Sequence, residues 1–406
     1  MIIMTNKKDD KLFLYYEREK TLPTFARFKT VEDLDKYESQ RARIFTEKLK
    51  LPTQLFKGIK LLEFGPDSGE NSLAFARWGA SLTLVEPNSD AHVPIKNYLE
   101  NFGLKDKLDV LVEEEISKFT SQKKYQFIDA EGFIYTFRPE SIWLNLFKDL
   151  LDDQGFCLIN YYEASGGFLE LILKLIHAKT KTLRGLSPEE NAWQLFESKW
   201  NSIPHTRSFK SWVMDVLENP FVRYEYFFDA SELCQQLFDY GYSVYSSWPN
   251  YQDTLSIYWH KMQLSEAEKL NNNLDYIARS RLGFLLGKKL FLTVQSSEKV
   301  KEINDYAHQL TRVVDHAIDD LDSDKIWQAY HYLEPIKNIL IGDTVLANSI
   351  QDKQEAIKLV ETLQTVMQLL TKNDSDDIEQ FCNTNPLFIK SWGIPYHFIV
   401  FQKQKS

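Results

Sequence analysis

The residues of this 406-residue chain whose types and spacing suit chemistry are mainly acids and glycines between positions 63 and 135. Glu63-Phe64-Gly65-Pro66-Asp67-Ser68-Gly69 sets an acid ahead of a turn bracketed by two glycines. Glu86 closes one apolar run, Glu113-Glu114-Glu115-Ile116 follows a second, and Asp129, Glu131 and Tyr135 lie at or after the end of a third. A carboxylate at a strand end can accept hydrogen bonds from both ribose hydroxyls of a nucleoside-bearing cofactor. Backbone N–H groups at a helix start would face such a ligand. Glu131 is of the type that serves as a general base or orients a hydroxyl. Further on, His177, His205 and Arg207 are the polar residues of an aromatic stretch holding Trp193, Trp200 and Trp212. His205, between Pro204 and Thr206 in an expected loop, is the stronger histidine, because loops carry function more often than helix faces.

These residues need elements to position them. Leu61–Phe64 and Leu82–Val85 read as short strands, with a helix over Asn71–Trp78 between them. Strand, glycine turn, helix and strand make the βαβ unit that parallel sheets require. The alternation continues with a helix over Asp90–Phe102, a strand at Leu108–Val112 and a strand at Tyr125–Ala130. A helix over Glu140–Leu151 and a strand at Phe156–Tyr161 follow, the pattern of a parallel sheet covered on both faces. Ligands bind such sheets at the carboxyl ends of the strands, where the acids fall.

Glu63 through Gly69 resembles the acidic-x-Gly-x-Gly-x-Gly loop of class I S-adenosylmethionine-dependent methyltransferases, and Glu86 stands where that family's ribose-binding acid stands. A nicotinamide dinucleotide fold would want Gly-x-Gly-x-x-Gly, a spacing that Gly65-Pro66-Asp67-Ser68-Gly69 does not supply. The departure from the family is Asp67, which occupies the place of the middle glycine. The resemblance implies that S-adenosyl-L-methionine is held by Glu63, Gly65, Pro66, Asp67, Gly69 and Glu86. It further implies Glu115 at the adenine amino group with Ile116 against the ring, and Asp129 towards the methyl group. His205, Glu131 and Tyr135 are the catalytic candidates. Asp129-Ala130-Glu131-Gly132 is not the Asn/Asp-Pro-Pro-aromatic tetrad of enzymes that methylate adenine, glutamine or cytosine amino groups. The fold implied is α/β: a seven-stranded, mostly parallel, doubly wound sheet, with a helical insertion after the fifth strand and a mainly helical C-terminal region.

Residues 1–57 read as an N-terminal helical segment, in which Thr30 is an expected cap and Asp33 a short partner for it. The methyltransferase domain is expected over 58–262. It closes on a helix at Ala230–Tyr240, then an antiparallel hairpin of Tyr242–Trp248 and Thr254–His260. Within it, 162–228 reads as a helical insertion suited to covering the acceptor, since apolar walls with a few convergent polar groups suit small ligands. Residues 263–406 form a mainly helical domain with a final strand at Trp392–Lys403, placed on the sheet edge or against another chain. Two apolar stripes, Val300 to Leu321 and Leu359 to Leu370, pack within that domain or hold a homodimer. The acids Asp315, Asp319, Asp320, Asp322 and Asp324, with His316, lack the glycine and glutamate of a calcium loop and read as a solvated face, so no metal is expected.

Composition sets the outer bounds. A net charge of −10 argues against a nucleic-acid backbone as partner. With 43% hydrophobic and 26% charged residues, a sizeable core can form. Three separated cysteines, Cys157, Cys234 and Cys382, show neither metal spacing nor a disulfide framework, which fits a reducing cytoplasm. No apolar run approaches membrane length, and Met1-Ile2-Ile3-Met4 is too short for a signal peptide. The reading is a cytoplasmic methyltransferase acting on a small-molecule or glycan acceptor at oxygen. A protein or peptide acceptor is the alternative. A nicotinamide-dependent oxidoreductase and a non-catalytic scaffold that keeps the fold are the readings from other classes.

Overall fold

Alternating apolar runs and crossover helices build the central sheet. Its strands are Lys60–Phe64 (β1), Ser81–Val85 (β2), Leu108–Val112 (β3), Tyr125–Ala130 (β4), Leu151–Tyr162 (β5), Tyr242–Trp248 (β6) and Tyr396–Lys403 (β7), in the spatial order β3-β2-β1-β4-β5-β7-β6. β1 pairs in parallel with β2 on one side and β4 on the other, β2 with β3, and β4 with β5. Leu61, Leu62, Phe64, Leu82, Leu84 and Val85 are all buried, the continuous apolar pattern of strands covered on both faces. Glu70–Arg77, Ser89–Asn101 and Ser141–Leu150 are the helices between these strands. The structure is a computed structural model and describes residues 11–20, 22, 28–204, 207–252, 264–372 and 374–404.

The close of the sheet differs from expectation. β6 pairs antiparallel with β7, register Tyr242↔Lys403 to Trp248↔Phe398, a partner from the far end of the chain. Thr254–His260, expected as its neighbour, lies outside the described residues. The last strand therefore takes neither the sheet edge nor another chain: it fills the interior slot between β5 and β6. His397, Ile399, Val400 and Phe401 are buried there. β5 also begins earlier than expected, directly after its helix at Leu151, with Gln154 in the left-handed region at φ 61.

The chain divides into two compact units. The first is Met1–Tyr161, Cys234–Tyr251 and His397–Ser406; the second is Tyr162–Leu233 and Gln252–Tyr396. In the first, the helix Val31–Arg43 has a complete capping box, in which Thr30 Oγ1 accepts from Asp33 N at 3.2 Å and Asp33 Oδ2 accepts from Thr30 N at 3.1 Å. The short Asp side chain does reach its target. The helix lies along the helix that follows the glycine turn. Tyr37 Oη donates to Asn71 Oδ1 at 2.6 Å, Trp78 Nε1 to Glu38 at 3.0 Å, and Arg77 pairs with Asp35 at 2.6 Å. Beneath it Phe45, Phe56, Phe75 and Trp78 stack edge to face and tilted, with centroids 5.2–5.6 Å apart.

Among the described residues the second unit is mainly helical, with a two-stranded antiparallel ribbon of Leu290–Leu292 and Val345–Ala347. Its long helices are Phe168–Arg184, Pro188–Trp200, Glu266–Leu286, Ser297–Asp320, Ser323–Ile341 and Ile350–Lys372. Segments expected as an insertion and a separate C-terminal domain thus share one body. Val300, Ile303, Ala307, Leu310, Val314 and Ala317 are buried in it, as are Leu359, Val360, Leu363, Val366, Met367 and Leu370. Both stripes are covered by this unit's own helices, which leaves them unavailable for the homodimer contact considered above. Part of the acidic run is also not a solvated face. Asp315 is buried and, with Asp319, grips Arg223 through bonds of 2.6 and 2.7 Å. Arg281 is buried between Glu163 and Asp229, 2.7 Å from each.

Candidate active site

The loop after β1 is shaped by left-handed residues. Gly65 has φ 63, Asp67 φ 50 and Gly69 φ 91. Aspartate is among the few non-glycine residues that visit this region routinely. Asp67 therefore does the conformational work of a middle glycine, which accounts for the departure seen in the sequence. At Gly65 a Cβ would come within 2.8 Å of the Phe133 ring, so only glycine lets that ring close on the loop. Gly69 opens the helix Glu70–Arg77, where a Cβ would meet Ile95 at 3.1 Å.

Glu86, just beyond β2, turns its carboxylate to this loop. Oε2 accepts from Asp67 N at 3.0 Å and Oε1 from Asn88 N at 2.8 Å. Its own backbone is held by Val112 O at 2.9 Å and by the His92 ring nitrogen against its carbonyl at 2.8 Å. Burial pushes Glu86 up to about 8, and the charges of Asp67 and Glu63 add to this against the N–H groups of Asn88 and Asp67.

Glu63 and Asp129 face each other in register across β1 and β4, on strands about 4.8 Å apart. Both are buried, at 2% and 1% exposure. Glu63 accepts from Ser72 Oγ at 2.5 Å, and burial pushes it up to about 7. Neither oxygen of Asp129 has a hydrogen-bond partner among the described residues, and burial raises it well above the usual carboxylate range. The cation beside these acids is Arg41, from the N-terminal helix. Its Nη2 lies 3.9 Å from Asp129 Oδ2 and bonds Glu131 Oε1 directly, and its guanidinium rests on Phe45 and Phe75 at 4.8 and 5.0 Å.

The structure thus brings together Glu63, Gly65, Pro66, Asp67, Gly69, Glu86 and Asp129. Glu115 is otherwise engaged: it pairs with Lys11 and with Lys118 at 2.9 Å, which hold its carboxyl below the usual range. Ile116 beside it is buried. Glu131 is not a free base but the partner of Arg41. Tyr135 is buried at 1% exposure, and His205 lies outside the described residues. His177, in the second unit, is a packed structural histidine between Glu218 at 2.7 Å and Asn191 at 3.1 Å; burial draws its pKa down against the pull of Glu218. Arg207 pairs with Asp215 at 2.5 Å. Arg41 and Phe133 were missed. Arg41 had a readable signal: it continues the inward stripe Leu34, Tyr37, Phe45, and a charge on an apolar stripe needs a buried partner. Phe133 had none, since its contact with Gly65 spans 68 residues.

This arrangement fits a ligand with vicinal hydroxyls and a positive charge. A glycine turn lies beside Glu86, and the buried Asp129 carboxyl, without a hydrogen bond among the described residues, lies 3.9 Å from the Arg41 guanidinium. Among the described residues no helix is long and apolar enough to cross a membrane, and no group of three or more His, Cys, Asp or Glu is placed to hold a metal ion.

Comparison with solved structures finds the glycopeptide N-methyltransferase MtfA complexed with sinefungin at 16% identity and a TM-score of 0.25, over 27% of this chain and 50% of that one. The match therefore spans about half the length of MtfA. NodS, an N-methyltransferase from Bradyrhizobium japonicum WM9 complexed with S-adenosyl-L-homocysteine, is 12% identical with a TM-score of 0.30, over 38% of this chain and 74% of that one. YjhP from E. coli is 10% identical with a TM-score of 0.35, over 98% of this chain and 100% of that one. No curated protein matches the chain. A family model described as a methyltransferase domain matches residues 37–247. That span is more than half of the 406 residues and runs from Tyr37 on the N-terminal helix into β6, and by it the chain belongs to the methyltransferase-domain family.

Proposed function

We propose that the chain is an S-adenosylmethionine-dependent methyltransferase acting on a hydroxyl of a small molecule or glycan. The observation that carries this reading is the Glu86 carboxyl, buried and turned onto the left-handed glycine loop, where it accepts from Asp67 N while Asn88 N holds its other oxygen. Glu86 would hold the ribose hydroxyls, Gly65 and Gly69 let the backbone approach, and Asp129 with Glu63 would face the positive end of the donor. Bound there, the donor supplies an electrophilic methyl group on a sulfonium centre. The chain's own contribution is to align donor and acceptor and to keep water out of the cradle. Arg41 fixes Glu131, which suits Glu131 to shaping the acceptor side of β4 more than to taking a proton. The absence of the Asn/Asp-Pro-Pro-aromatic tetrad after β4 supports oxygen over a planar amino group as acceptor.

Asp67, the one departure from the family's loop, would also suit a non-catalytic scaffold that keeps the fold, but its left-handed backbone (φ 50) takes up the conformation of the glycine it replaces, which supports a loop still shaped for a donor. The test is calorimetry with S-adenosylmethionine, its demethylated product and NAD, followed by transfer of labelled methyl to panels of hydroxylated small molecules, glycans, amines and peptides. Binding of NAD but not of the methyl donor would overturn the cofactor, and labelling confined to amines or peptides would overturn the acceptor.

A further inference from the structure

The cradle holds more acid than its cations balance. Glu63 on β1 and Asp129 and Glu131 at the end of β4 adjoin the guanidinium of Arg41, which is bonded to Glu131, and Glu86 after β2 adds a further buried acid beside Glu63. Glu63 and Asp129 are directly opposed across two strands, an arrangement that two carboxylates disfavour when both are charged. Among the described residues neither Asp129 oxygen accepts a hydrogen bond, and Arg41 Nη2 stands 3.9 Å from Oδ2. Several groups face this pair. Asp129 meets Glu131, which raises it further, Arg41 at 3.9 Å, which draws it down, and Cys157 from β5, a thiol that burial keeps neutral. Glu63 has Ser72 and senses Arg41 and Glu131, and the buried phenol of Tyr37 on the N-terminal helix adjoins Arg41, Glu131 and Glu63. Two like groups at strand spacing, with one shared cation already paired, cannot both ionise cheaply until a second cation arrives.

We infer that Asp129, with Glu63 opposite, is a charge selector: the pair keeps a proton in the free chain and gives it up when a cationic ligand enters. The inference rests on the methyl-donor reading and deepens it. The donor carries a sulfonium, whereas its demethylated product is a neutral thioether with the same nucleoside and amino-acid groups. Entry of the sulfonium favours the carboxylate, so a proton leaves to solvent. Loss of the methyl group removes the charge, the proton returns, and the product is held less tightly than the donor. The selector thus favours product release after each turnover, and its preference grows as pH rises.

The experiment is isothermal titration calorimetry of the full chain with S-adenosylmethionine and with S-adenosylhomocysteine, in pairs of buffers that differ in ionisation enthalpy. The expected result is that donor binding near pH 6.5 releases about one proton more than product binding does. The donor-to-product affinity ratio then rises up to roughly tenfold per pH unit below the titration of the pair. Asp129→Asn, a near-isosteric change, flattens that pH dependence while product binding persists. Equal proton release for the two ligands overturns the selector and leaves the donor reading intact, as does an unchanged pH dependence in Asp129→Asn. Failure of the wild-type chain to bind either ligand overturns the donor reading and the selector with it.

Discussion

Replacing Glu86 by glutamine separates the residue's cost to stability from its use in binding. In the folded chain Glu86 is raised from 4.5 to about 8 by burial, with Asp67 and Glu63 adding to it. A raised acid contributes stability that is fully present below its unfolded value and is lost as pH climbs through its folded value. Between those limits the unfolded chain has released the proton and the folded chain has not, so stability falls by about 1.4 kcal/mol per pH unit. Across about pH 5.5 to about pH 7.5 the wild type therefore loses roughly 3 kcal/mol through this one group. Glutamine is neutral throughout and lacks this slope. Its single carbonyl can accept only one of the two N–H groups of Asp67 and Asn88, a constant penalty of about 1–2 kcal/mol. Glu63, raised to about 7, contributes its own slope to both proteins and cancels in the comparison. Glu86→Gln should thus be the less stable protein in acid and the more stable one near neutrality, while its affinity for a ribose-bearing donor drops at every pH. Urea midpoints measured across this range, read by hydrogen exchange on β1 and β2 peptides, isolate the first unit. Stability profiles of the two proteins that run parallel would refute the reasoning.

Three further changes probe the same architecture. Gly65→Ala places a Cβ 2.8 Å from the Phe133 ring at a φ of 63, and should cost about 1–3 kcal/mol in urea denaturation and reduce donor affinity; an unchanged midpoint would mean that the ring does not rest on the loop. Asp67→Ala should be less stable than Asp67→Gly by about 1 kcal/mol in thermal melts, because alanine pays for the left-handed conformation and glycine does not; equal midpoints would show that the conformation is not required. In the second unit, Arg281→Met removes the cation paired with the buried Glu163, which keeps its backbone N–H donors, while Asp229 keeps His308 at 2.9 Å; it should cost about 3 kcal/mol, read by exchange of peptides from Glu266–Leu286.

What could be read from the sequence was local. Strands β1 to β5, their crossover helices and the glycine turn show in short-range pattern, because apolar periodicity and turn residues act within a few positions. The capping box at Thr30 was visible too, and only its reach was in doubt. Glu115 shows the limit. Its place after β3 fits an adenine acid, yet Lys11, 104 residues away, holds the carboxylate.

By itself the sequence determined that a parallel α/β sheet would carry an acid-flanked glycine turn, with Glu86 at the next strand end, because those features follow from chirality, side-chain alternation and the steric freedom of glycine. Tertiary structure alone decided three things. The slot between β5 and β6 is filled by residues 396–403, since strand pairing is set by which edge is open and not by distance along the chain. The apolar stripes of the second unit are closed by its own helices, since burial depends on what lies opposite a face. Asp129 stands opposite Glu63 with no hydrogen bond among the described residues, since only the register of β1 on β4 sets two acids at strand spacing in a site dry enough for their charges to matter.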